Sequence, residues 1–86
     1  MGFTEEELEE LLTINEQAKI FTSGLSYIKE LENAIFECMK NKTELSKENI
    51  QKAHNNYLAL NIIGLNQCDS ETFKKLDKYM DTKYRE

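Results

Sequence analysis

Eighty-six residues without a single proline, and with glycine only at positions 2, 24 and 64, leave few places where this chain can turn tightly. Sandwiches, barrels and long-loop folds need such residues at many turns, so their scarcity calls for helices joined by short connections. The length allows one domain, residues 1–86, and a chain this short buries only about 60–65% of the surface its unfolded form exposes. The expected fold is all-α: a small antiparallel bundle of four helices, or of three if residues 4–40 form one long helix.

The apolar spacing agrees with that expectation. Thr4 suits an N-cap, Glu7 completes a capping box, and Phe3 is placed to staple onto Leu8. Leu8, Leu11, Leu12, Ala18 and Phe21 then recur at three and four, the period of an amphipathic helix. At Gly24 two readings compete. The helix stops there, with Leu25 folding back on Ile20 and Ser26 capping the next helix. Otherwise it continues, since Leu11, Ile14, Ala18, Phe21, Leu25 and Ile28 keep heptad spacing through the glycine. The break is preferred, because a continuous helix would be about 55 Å long and too exposed for a small monomer.

Ile28, Leu31, Ala34, Ile35, Cys38 and Met39 form the stripe of the next helix, which ends at Asn41-Lys42-Thr43. Ser46 or Thr43 caps a helix reaching about Leu65, with Ile50, Ala53, Tyr57 and Leu60 inward and Gly64 and Asn66 as its stop. Asp69 or Ser70 caps the last helix, whose narrower stripe holds Phe73, Leu76, Tyr79 or Met80, and Tyr84.

Charge divides the chain unevenly. Residues 1–18 hold six glutamates and no basic side chain, whereas residues 19–86 hold eleven basic and ten acidic ones, so the whole net charge of −5 traces to the first helix. Arg85 is the one arginine among the basic residues, and phosphate and base recognition favours the guanidinium, so nucleic acid is not the expected partner. No leader pattern and no bilayer-length apolar stretch is present, and the two cysteines, Cys38 and Cys68, are too few for a disulfide framework. These features point to a cytoplasmic protein with reduced thiols and no membrane contact. Usage rich in Lys, Asn, Ile and Glu fits an AT-rich coding sequence, such as that of a low-GC bacterium or its phages.

Catalysis lacks parts. His54 is the lone histidine, with no serine or cysteine beside it at helical spacing, and the two cysteines form no close-spaced ligand pair for a metal. No phosphate loop is present, and the many carboxylates fall on solvated helix faces where nothing should shift their pKa values. No catalytic residue, cofactor, metal or small-molecule substrate is therefore expected. His54 itself is read as an edge residue packing its ring on a neighbouring helix, with a pH-sensitive contact as the alternative.

Three features point to partner binding. Tyr57-Leu58-Ala59-Leu60-Asn61-Ile62-Ile63-Gly64-Leu65 is apolar on every side, so Ile62, Ile63 and Leu58 are either buried in the centre of the bundle, the preferred reading, or offered to a partner. Glu5, Glu6, Glu9 and Glu10 make an anionic face, serving solubility or steering toward a basic partner. Phe36 sits with Glu32 off the centre of its helix stripe, at a partly exposed edge. The function expected is a small non-enzymatic protein-binding module, regulatory or inhibitory, that docks a helix face on a larger protein. The alternative is a structural, homodimeric helical subunit. A DNA-binding regulator comes third, because Lys74, Lys75, Lys78, Lys83 and Arg85 on the last helix are matched by Asp69, Glu71, Asp77, Asp81 and Glu86.

Overall fold

The structure, a computed structural model, describes residues 2–20 and 26–85, with side chains in the second segment from residue 28 to residue 81. Four α-helices follow one another: α1 (Glu5–Ala18), α2 (Ser26–Asn41), α3 (Lys47–Ile62) and α4 (Glu71–Arg85), with a short 3-10 turn at Gln67–Asp69 before α4. The described residues contain no strand, and the four-helix, all-α expectation holds.

Local chemistry sets the helix starts. Thr4 Oγ1 accepts the Glu7 amide at 3.1 Å, and Glu7 Oε1 accepts the Thr4 amide at 2.8 Å, which closes the capping box. Ser46 rather than Thr43 caps α3, accepting the Asn49 amide at 3.3 Å. Ser70 rather than Asp69 caps α4, accepting the Phe73 amide at 3.0 Å. At its far end α3 closes in a Schellman turn: Leu65 N–H reaches the Leu60 carbonyl at 3.2 Å, Gly64 N–H reaches that of Asn61 at 3.0 Å, and Gly64 has φ +88°.

The single long helix over residues 4–40 is overturned. α1 stops at Ala18 and passes into a turn at Lys19 and Ile20, while the Asn15 side-chain amide donates to the Ile28 carbonyl at 2.9 Å. Along one straight helix those residues would be about 20 Å apart. The helix ends ahead of Gly24, and the stop expected at that glycine, together with Phe21 and Leu25, lies outside the described residues.

α1 and α3 each pack against all three other helices, whereas α2 and α4 do not meet among the described residues, so the α1–α3 pair is the middle of the molecule. α4 runs antiparallel to both. It pairs Tyr79 with Phe3 and Lys75 with Glu7 on α1's side, and Asp77 with His54 and Phe73 with Tyr57 on α3. The core is built from Leu8, Leu11 and Ile14 of α1, Leu31 and Ile35 of α2, Ile50, Ala53, Tyr57 and Leu60 of α3, and Leu76 of α4. These are the positions the apolar periodicity selects. Cys38 is buried and Cys68 partly so, and both are free thiols.

Candidate partner-binding face

α3 holds its inward and outward residues on opposite sides. Ile50, Ala53, His54, Asn56, Tyr57 and Leu60 are buried, whereas Gln51, Asn55, Leu58, Asn61 and Ile62 are exposed. At 100° per residue Ile62 points about 200° away from Leu60, so a helix that buries Leu60 cannot also bury Ile62 in the same core. The exposures are 41% for Leu58, 83% for Ile62, 47% for Ile63 and 48% for Leu65. Central burial of Ile62 and Ile63 is therefore corrected. α3 is central in the bundle, yet its neighbours cover only one side of it, and the Schellman turn leads the chain away before Ile62 and Ile63 meet the core.

The outward side has an order of its own. Gln51, Asn55, Leu58 and Ile62 are spaced 4-3-4, the interval at which one helix presents a seam to another, and Leu65 lies past the Schellman turn that ends the helix. From Asn55 to Cys68 there is no Asp, Glu, Lys or Arg, in a chain that is 31% charged. This stretch of chain is thus uncharged, with exposed apolar side chains at Leu58 and Ile62 and exposed side-chain amides at Asn55 and Asn61. Leu58, Ile62, Ile63 and Leu65 thus leave exposed aliphatic side chains at and just past the end of α3, the kind of bare apolar surface that often marks a contact site.

The other candidates divide. Phe36 is 52% exposed on α2, an element apart from the α3 seam, as its edge position predicted. Glu5, Glu6 and Glu9 are exposed in the first turns of α1, but Glu10 is half-buried and accepts the Tyr57 hydroxyl proton at 2.6 Å. Glu10 therefore leaves the anionic face, because it holds α1 to α3. Burial first, and then the bond to Glu10, push the Tyr57 hydroxyl far above its usual value, so it stays a donor.

The expectation that no carboxylate is perturbed also fails, at Glu7. Partial burial pushes its carboxyl up, but hydrogen bonds from Lys75 and Thr4 and the Lys75 charge outweigh that and hold it below its ordinary value. Lys75 Nζ lies 2.8 Å from Glu7 Oε1, 2.7 Å from the Gly2 carbonyl and 5.0 Å from the centre of the Phe3 ring, which clamps α4 onto the start of α1. Phe3 also lies 5.4 Å from the Tyr79 ring, so it fastens α1 to α4.

His54 packs its ring on a neighbouring helix as expected, but it is buried there rather than at an edge. Its ring stacks on Phe73 at 4.8 Å, and its Nε2 is 3.2 Å from Asp77 Oδ1. Burial, followed by Asp69 and Asp77, pushes the Cys68 thiol up, the reverse of what activates a nucleophile. On α4, Lys74 pairs with Glu71 at 3.6 Å, a match within the helix that the sequence suggested, whereas Lys75 reaches across to Glu7 of α1.

Sequence reasoning missed one polar element. Asn56 Nδ2 donates to Asn15 Oδ1 at 2.8 Å, and Asn15 in turn donates to Ile28, which joins α3, α1 and α2 inside the core. A signal existed: Leu8, Leu11, Asn15 and Ala18 are spaced 3-4-3, so an amide stands in a core position. Comparison with protein-family models, with curated proteins and with solved structures finds no match to this chain.

Proposed function

We propose that this protein is a non-enzymatic binding module, regulatory or inhibitory in effect, whose outer α3 seam receives an apolar helix of a larger protein. The observation that carries this reading is the bare line of Leu58 and Ile62 on the outer side of α3, with Ile63 and Leu65 exposed just past its end, within fourteen uncharged residues. Leaving such a line in water forgoes about 25 cal/mol for each Å² that a partner would cover, and the 4-3-4 spacing of the seam matches a helical groove-filler. The titratable groups with perturbed environments support the same reading, because each is engaged in holding the bundle together: Glu7 by Lys75, Tyr57 by Glu10, Tyr79 against the Phe3 ring, and Cys68 beneath the Tyr57 carbonyl at 3.9 Å.

Affinity capture from the native host tests it, with Ile62→Asp and Leu58→Asp as paired controls and Glu37→Lys, on exposed α2 surface, as a bystander. A protein held by the native chain and by Glu37→Lys, and lost from both α3 variants, is the expected result. Capture indifferent to the α3 variants contradicts the reading.

A further inference from the structure

We infer that Gly2 and Phe3 form a lid over a cavity at the end of the bundle where α1 begins, hinged at Thr4 and latched shut by the Lys75 ammonium.

A space of about 290 Å³ lies between the segment ahead of α1, the first turns of α1, the last turn of α2 and the link into α3, with Gly2, Phe3, Leu8, Cys38 and Met39 among its lining residues. Protein interiors hold few voids larger than one water, so the inner side of this segment is incompletely packed and lifting it forfeits little contact. Cys38 lines the same space and is 6% exposed. An opening there reaches its thiol without unfolding a helix.

The hold on the lid comes from α4. Among the described residues neither Gly2 nor Phe3 bonds to another backbone group. Lys75 Nζ donates to the Gly2 carbonyl at 2.7 Å and stands 5.0 Å from the centre of the Phe3 ring, while the Tyr79 ring lies 5.4 Å from that of Phe3. Lys75 and Tyr79 are one turn apart on α4, so one face of one helix carries both grips.

Thr4 separates lid from helix. Its backbone is extended, with φ −72° and ψ 165°, and the capping box with Glu7 ties it to the first turn of α1. Glu7 Oε1 accepts both the Thr4 amide and the Lys75 ammonium, each at 2.8 Å. When Lys75 lets go, the box still closes, and α1 keeps its cap while Gly2 and Phe3 move away. The opening is therefore local, of the kind that costs less than unfolding the whole molecule.

Alkylation of Cys38 by iodoacetamide reads the opening, in the full chain carrying Cys68→Ser so that one of the two thiols remains. The rate is followed by mass spectrometry in rising urea below the unfolding transition, because the urea dependence scales with the surface exposed. A lid that opens locally gives a rate nearly independent of urea. Lys75→Met should raise that rate about 10-fold with the same weak urea dependence, through loss of a charge-assisted bond and a ring contact. Lys75→Arg should return most of the protection. Lys74→Met, at an exposed position whose partner Glu71 is on its own helix, should leave the rate unchanged. Labelling that rises with urea as steeply as global unfolding overturns the lid, as does a Lys75→Met rate no higher than that of Lys74→Met.

Discussion

Single side chains decide how the helices register. Asn15 is 2% exposed and Asn56 1% exposed, so their amides have no recourse to water if a partner is lost. Asn15 serves two groups, the Asn56 amide and the Ile28 carbonyl, whereas Asn56 serves only Asn15 among the described bonds. Removing Asn15 thus orphans more than removing Asn56. Asn15→Leu should cost about 2–4 kcal/mol in chemical denaturation and Asn56→Leu about 1–2 kcal/mol, following the usual penalty for a buried group left without its partner. The double substitution should cost less than the two added together, with a coupling of about 0.5–3 kcal/mol. Strict additivity would mean that the amide pair does not join α1 to α3.

At the scale of the element, starts were legible and outer faces were not. Thr4 and Glu7 stand three apart ahead of an apolar run, and everything the capping box needs lies within four residues, so the sequence reveals it. Ser46 and Gly64 act equally locally. The bond from Tyr57 to Glu10 spans 47 residues and that from Lys75 to Glu7 spans 68, and neither spacing is written in any window of the chain. Glu7 shows what such a long-range contact adds to a local one. It closes the α1 cap and also meets Lys75, and both act on the charged carboxylate. Its folded value lies below its ordinary value of 4.5, so this stabilisation is present above about that pH and is lost as pH falls through the folded value. Gln keeps the acceptor that closes the capping box but loses the charge facing Lys75, so Glu7→Gln should lower stability by about 0.5–1 kcal/mol at pH 7, the usual worth of such an ion pair, and by less at pH 3, as thermal melts at the two pH values would report. An equal loss at both would assign the effect to shape rather than charge.

On the scale of the whole molecule, periodicity reads which residues share a side of a helix, but not how many sides the neighbours cover. Leu60 and Ile62 are both large and aliphatic, and they stand two apart in a run that is apolar all round. Only the packing of three helices around one side of α3 separates a core residue with no exposure from one 83% exposed. The same limit left His54 at an edge, since Phe73 and Asp77, which cover it, belong to α4. Among the described residues no further helix covers the remaining side of α3, and another polypeptide is expected to do so. A photo-reactive benzophenone side chain installed at position 58, compared with the same group at exposed position 37 of α2, measures that directly in the native host. The account predicts a discrete protein adduct from position 58 that disappears with Ile62→Asp, and none from position 37. Adducts from position 37 alone, or from position 58 undiminished by Ile62→Asp, would contradict it.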